Sequence, residues 1–389
     1  MPTVIVYRSI LLPRSETFIK SQIGAYRRWR GVLLGRRLCH ELALDGLDVR
    51  TLEADGARRS SQLLLKLRLI LGIAPNVSAL RRDEPVLLHA HFGMDAIEAV
   101  PIARSLGVPM VVTLHGFDIN IDFRWWRGGH GGILMRGYPR RLLQLASLPH
   151  VHFVAVSDAI KNRAIAVGIP ASKIDVRYIG VDRTRFQPGC LGISQRPRRV
   201  LFVGRLVEKK GCAYLLRAMR IVQRTNPAAQ LTIVGDGPLR SQLEDLAREM
   251  SVNAVFRGFL SGPEVKREFD EARVFCLPSV TAENGDAEGL AIVLFEAQAS
   301  GIPVVTSGVG GTLEGIVDGQ TGYGFQERDV PGLASRLSEL LFDDALAERM
   351  SAAGPKFVEQ KFDLQLCTAR LESLYDDLIR SRDCGAPIL

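Results

Sequence analysis

RVLFVGRLVEKKG (residues 199–211) and QLTIVGDGPLR (residues 230–240) are two short apolar runs, each closing on glycine and a charged turn. Runs of this kind recur downstream as AVFRGF (254–259), VFCLPS (274–279) and PVVTS (303–307). The first half holds a matching series: TVIVY (3–7), GVLLG (31–35), VLLHA (86–90), PMVVTL (109–114), VHFVAV (151–156) and IDVRYI (174–179). Four to six apolar residues separated by helix-like segments predict parallel strands covered on both faces. Helix punctuation agrees: Ser157 can cap DAIKNRAIAV, and Gly168 with Pro170 stops it. The two series predict two doubly wound α/β domains. The Pro/Gly-rich, basic stretch 187–199 reads as a linker between them. The expected organisation is residues 1–190, residues 191–360, and an amphipathic C-terminal helix within 361–389. Ligands of such sheets bind outside the carboxyl ends of the strands, so a cleft between the domains is the expected site.

With 389 residues and 47% hydrophobic content, the chain can bury two cores. No apolar stretch reaches the 18 or so residues of a membrane helix: QLLLKLRLILGI is broken by Lys66 and Arg68. The opening MPTVIVYRSILL carries Arg8 and reads as a buried strand, not a targeting segment. Cysteines at 39, 190, 212, 276, 367 and 384 have no metal-ligand spacing, and reduced thiols in a cytoplasmic protein are expected. Residues 1–189 carry 27 Lys/Arg against 15 Asp/Glu, a net +12, which leaves −4 for the remainder of a chain of net charge +8. A basic half fits an anionic partner, and the arginine/aromatic cluster YRRWRG (26–31) points to an anionic membrane surface. A merely solvated basic face is the alternative. Nucleic acid is not expected, because no DNA or RNA recognition motif accompanies the charge.

The motifs lie at strand ends. In FVGRLVEKKG, Gly204 is followed by Arg205 and then Lys210, a planar fork of donors and a point charge suited to a diphosphate. IVGDGPLR has Gly235 and Gly237 but Arg240 where a dinucleotide fingerprint needs glycine, so a tight turn is expected there. His89 and His91 end one run and His115 the next; a metal site is poorly supported, lacking a fourth ligand and any D-x-D. In LPRSETFI (12–19), Ser15 or Thr17 offers a hydroxyl at a helix start, for capping or for an anion. AENGDAEGLAIVLFEAQASG (282–301) holds Glu288 and Glu296, which on one continuous helix would differ by roughly 80° in direction. With Glu288 ahead of the helix and Glu296 two turns along it, one elongated ligand would reach both.

Together GRLVEKKG, VGDGPLR, AENGDAEGLAIVLFEAQASGIPVV and GGTLEGIVDGQTGY resemble the retaining glycosyltransferases of the GT-B fold, group 1 or family 4 type. Within these the chain is most similar to the subgroup building bacterial exopolysaccharides of the colanic-acid type. SETFI, HAHFG, TLHGFD, AVSDAIK and YIGVDRTRF extend the resemblance through the first half. It departs from many relatives after the first strand, where PRSETFI replaces a glycine-rich loop.

The resemblance implies two Rossmann-like domains facing a cleft, with the C-terminal helix crossing back to the first. The ligand would be a nucleotide-diphosphate sugar held by Gly204, Arg205, Lys210, Phe259, Leu260, Glu288, Gly289, Leu290 and Glu296. Glu288 would face sugar and diphosphate, free N–H groups near Gly289 and Leu290 the phosphates, and Glu296 the ribose. Arg205 and Lys210 would neutralise the leaving diphosphate, with no metal and no cofactor required. His115 joins Arg205, Lys210 and Glu288 as catalytic, while Ser15, Glu16, Thr17, His91 and Asp118 would receive a saccharide or lipid-linked acceptor. The expected activity is hexosyl transfer at the inner membrane face. An epimerase or hydrolase of the same plan, or a non-catalytic nucleotide-sugar-binding protein, are the alternatives.

Overall fold

The computed structural model describes residues 1–383 apart from residue 55, with the side chains of residues 15, 382 and 383 also outside the description. The chain forms two compact units, Met1–Gly180 with Leu364–Leu389, and Val181–Asp363.

The first unit is built on strands β1 (Thr3–Leu11), β2 (Arg30–Leu38), β3 (Asp48–Thr51), β4 (Pro85–His91), β5 (Met110–Leu114), β6 (Val151–Ala155) and β7 (Ile174–Val176). They pair in the order β3-β2-β1-β4-β5-β6-β7, every pairing parallel. The order reverses between β1 and β4, which opens a crevice at their carboxyl ends. Both strands leave this point on non-glycine residues with positive φ, Leu12 (44°) and Phe92 (70°), a conformation that costs free energy and clusters at functional sites. The helix Leu364–Asp383 belongs to this unit and packs Leu371, Leu374 and Tyr375 with Val4, Val6, Ile19 and Trp29.

The second unit has strands β8 (Arg199–Val203), β9 (Gln230–Val234), β10 (Ala254–Gly258), β11 (Val274–Leu277), β12 (Val304–Ser307) and β13 (Gly322–Phe325). Their order is β10-β9-β8-β11-β12-β13, again parallel throughout, with the reversal between β8 and β11.

Several expectations change. β3 and β13, which the apolar runs did not mark, are both edge strands; β3 reads DVRT and no residue in it is buried. An edge strand is not covered on both faces and so lacks the continuous apolar signal. The chain changes unit at 180/181 and 363/364, where boundaries at 190/191 and 360/361 were expected. Residues 187–199 are no free linker: Arg196 is buried and donates to the carbonyls of Phe269 (3.1 Å) and Ala272 (3.0 Å), and Ile193 is buried. Arginine satisfying helix-end carbonyls gives the same composition as a basic linker. Finally, YRRWRG presents no aromatic residue to solvent: Tyr26 and Trp29 are buried, while Arg27, Arg28 and Arg30 stay exposed. Trp29 is buried with Nε1 on Asp376 (2.9 Å), and Arg28 pairs with Asp376 (3.1 Å) and Glu372 (3.6 Å) of the C-terminal helix.

Candidate functional site

The reversal point of the second sheet gathers the charged motifs. β8 ends at Val203, and the chain passes Gly204 and Arg205 into a short turn, Glu208–Lys210, before the helix Cys212–Thr225. Lys210 Nζ lies 2.8 Å from Glu288 Oε1, and Lys209 Nζ 3.0 Å from Asp286 Oδ2. Ser279 Oγ, just past β11, is 3.5 Å from Glu288 Oε1. Burial acts to raise the Glu288 pKa, but Lys210 and Lys209, with the hydrogen bonds from Lys210 and Ser279, outweigh it and hold the carboxyl below its ordinary value. Arg205 is exposed and forms no ion pair among the described residues.

Glycines let these strand ends converge. Gly211 (φ +66°) packs so tightly that a Cβ would lie 1.8 Å from the Pro278 carbonyl oxygen. A Cβ at Gly310 (φ +57°) would lie 1.9 Å from the Glu288 carbonyl oxygen, which also accepts from Gly311 N–H at 3.2 Å. The Gly310–Gly311 loop thus clamps the Glu288 backbone from above. Gly235 (φ +131°) turns tightly against the Gly204 carbonyl, as IVGDG implied.

Glu288 precedes its helix, Ile292–Ala299, and Glu296 is the fifth residue of it, so the two carboxylates are not stacked on one helix. Glu296 lies one turn in, not two, because the first turn starts later than expected. The helix stops where Gly301 (φ +71°) and then Pro303 lead into β12. Gly289 has a partner within the fold, and the helix N-terminus begins beyond it and Leu290, at Ile292. The half-buried Glu296 carboxyl meets no hydrogen-bond partner among the described residues, and burial pushes its pKa up to about 7 against the pull of Arg185. Arg185, which lies in YIGVDRTRF but was assigned no role, folds over Gly262, where a Cβ would lie 1.5 Å from its Nη2. It thereby neighbours the loop after β10 that carries exposed Phe259 and half-buried Leu260.

In the first unit the structure reassigns most of the expected acceptor residues. Asp118 is fully buried: Oδ2 accepts from Gly93 N–H (2.8 Å) and Oδ1 from His115 (3.0 Å) and Gly116 (2.9 Å). Burial raises its pKa to about 6 despite these donors. It braces the loops after β4 and β5, and full burial withholds its oxygens from solvent. Glu16 is likewise spent, bidentate on Arg8 at 2.8 and 2.7 Å. Arg8 also pairs with Asp95, so Glu16–Arg8–Asp95 link the elements that follow β1 and β4. His91 is buried and bonds through Nδ1 to Nε2 of half-buried His115 at 3.0 Å. One nitrogen donates and the other accepts, so at most one of the two rings can carry a charge. Burial, then neighbouring His89 and Arg8, lower both pKa values. His89 stacks on His91 at 4.5 Å and bonds Tyr375 Oη (2.5 Å) and Thr113 Oγ1 (2.6 Å). These imidazoles hold one another and the C-terminal helix. Thr17 is exposed at the start of the helix Thr17–Gly24, and no side chain caps that helix. The Ser15 side chain lies outside the described residues.

Among the described residues, no helix is long and apolar enough to cross a membrane. The model of the glycosyl transferases group 1 matches residues 184–357, and that of glycosyltransferase family 4 matches residues 36–185. WcaL of Escherichia coli K12, provisionally assigned as a colanic acid biosynthesis glycosyltransferase, is 33% identical over 296 residues, covering 74% of this chain and 70% of WcaL. The amylovoran biosynthesis glycosyltransferase AmsK of Erwinia amylovora is 33% identical over 245 residues, 62% of this chain and 59% of AmsK. Among solved structures, Anabaena HepE in complex with UDP-glucose superposes with a TM-score of 0.76 over 97% of this chain and 100% of HepE, at 19% identity. Two parallel Rossmann-like sheets, the motifs at their reversal points and these matches together place the chain in the GT-B glycosyltransferases of the group 1 and family 4 type.

Proposed function

We propose that this glycosyltransferase is a retaining hexosyltransferase that takes its sugar from a nucleotide-diphosphate donor held on the second unit, without a metal. The observation carrying the reading is the Lys210–Glu288 pair at the β8/β11 reversal beside unpaired Arg205. Two cations at a strand end stabilise charge developing on a departing diphosphate, the role a metal plays in other sites. Glu296, unpaired and poised near neutrality, is the acceptor for ribose hydroxyls, and Phe259 and Leu260 flank the base. HepE, which shares the fold, binds UDP-glucose, and this supports a nucleotide sugar here without naming the base.

Retention follows if the acceptor hydroxyl enters on the face the diphosphate leaves, giving its proton to the leaving phosphate. His115 positions the sugar; as a half-buried ring bonded to His91, its pKa lowered by burial, it is suited to orientation, not to serving as a base. Asp118 is not suited to act as a nucleophile, since it is fully buried and held by three backbone N–H groups. The relationship to WcaL and AmsK supports a lipid-linked saccharide acceptor in surface-polysaccharide assembly. The test is proton NMR of the first product from an α-linked donor, run with and without a chelator. An α-coupling in both is expected. An inverted coupling refutes retention, and activity abolished by chelation and restored by a divalent ion refutes metal independence.

A further inference from the structure

Arg124, Arg127, Arg136, Arg140 and Arg141 fall in a stretch, residues 123–157, that contains no Asp or Glu. None of the five forms an ion pair among the described residues, in contrast to Arg28, which the C-terminal helix neutralises. Arg127 and Arg140 flank a surface groove of about 520 Å³ that Phe123, Pro139 and Leu143 also line. Between the helices Phe123–Arg127 and Tyr138–Ser147 the chain turns on Gly129 and Gly132 (φ 86° and 93°) and leaves Ile133 75% exposed. Uncompensated guanidinium groups around an exposed aliphatic tip match the boundary between phosphate headgroups and acyl chains. Nucleic acid would answer the charge but leave the isoleucine in water.

We infer that residues 123–144 are the surface by which the protein rests on an anionic bilayer. This surface is joined to the His115 loop through buried side chains. Trp126 packs on Phe117 (5.8 Å) and Tyr138 (4.8 Å), Tyr138 Oη donates to the Asp118 carbonyl (2.6 Å), and the Asp118 carboxylate holds the His115 N–H. Seating the segment on lipid would therefore order the loop that carries His115. The inference rests on the reading above only in taking the acceptor to be carried by lipid.

Vesicle sedimentation tests it directly. The wild-type protein should bind vesicles of equal parts phosphatidylcholine and phosphatidylglycerol, ignore pure phosphatidylcholine, and dissociate as salt rises. Each arginine near such a surface is worth about fivefold in partition. The R124Q/R127Q/R136Q/R140Q protein should thus bind at least ~100-fold more weakly. Ile133→Ser should weaken binding several-fold, and R220Q/R224Q in the second unit should leave it unchanged; the altered side chains are exposed or unpaired, and matching thermal midpoints verify folding. Undiminished binding by the quadruple variant overturns the proposal. So does displacement by micromolar inorganic pyrophosphate at constant ionic strength, which would mark a small-anion site instead. Transfer to a lipid-linked acceptor dispersed in detergent is assayed separately: vesicle binding intact without such transfer keeps this surface and removes only the lipid-acceptor reading.

Discussion

Replacing Lys210 with Met removes the cation that keeps Glu288 ionised. The pair is well buried, with side-chain exposures of 16% for Lys210 and 6% for Glu288. Stranding one member of a buried pair costs about 3–5 kcal/mol. Because Lys210 keeps some solvent contact, the lower end, about 3 kcal/mol, is expected. For a unit of this size, spanning Val181–Asp363, that lowers its melting midpoint by roughly 6–12 °C. The pH dependence is set by the depressed carboxyl. In the wild type the pair contributes stability above the unfolded carboxyl pKa and loses it as pH falls through the lower folded value of Glu288. In the variant, burial is opposed mainly by Lys209, so Glu288 takes up a proton more readily and escapes its penalty in acid. The gap between the two proteins should therefore be widest at about pH 8 and close towards pH 4. Adding Glu288→Gln to the variant should recover most of the loss, since a neutral amide needs no cation. Calorimetry at both pH values measures this, and turnover should fall by a further 2–4 kcal/mol of transition-state stabilisation, about 30- to 1,000-fold. A gap below about 1 kcal/mol at pH 8, a gap independent of pH, or no rescue by Glu288→Gln would refute the reasoning.

Glu296→Gln should chiefly weaken donor binding rather than turnover, and should abolish any rise of donor affinity through pH about 7, the range in which the wild-type carboxyl ionises. Because that pKa is raised by burial, the carboxylate costs stability above neutrality, so the same variant should melt no lower than wild type at alkaline pH; a lower midpoint there would contradict the assignment. Asp118→Asn, which turns an amide towards backbone N–H donors, should cost about 1–3 kcal/mol of stability and slow transfer while leaving the product anomer unchanged; an adduct trapped on Asp118 in the wild type would replace this with double displacement. Gly310→Ala must push the Glu288 backbone aside, and a left-handed φ adds strain of about 1 kcal/mol. Unchanged donor affinity in that protein would show that the clamp on Glu288 is dispensable.

The apolar runs determined the parallel α/β architecture of both units, because strands covered on two faces must be apolar along their length. They also placed Gly204, Arg205 and Lys210 at a strand end and Glu288 ahead of a helix, and the structure joins Lys210 to Glu288. Local sequence was silent on β3 and β13, whose edge positions remove the need for a double apolar face. It was misleading where charge was concerned. YRRWRG and PRSETFI look like exposed basic and polar segments, yet Trp29 lies buried against the C-terminal helix and Glu16 closes on Arg8. The partners of Arg28, Glu372 and Asp376, lie 344 and 348 residues away along the chain, and Arg8, which holds Glu16, is itself held by Asp95, 87 residues from it. A side chain's composition and neighbours settle its secondary structure, since helix and strand periods are short. Whether a charge is neutralised, and so whether Arg124 or Arg28 faces outward unpaired, depends on which distant residue the folded chain brings within a few ångströms.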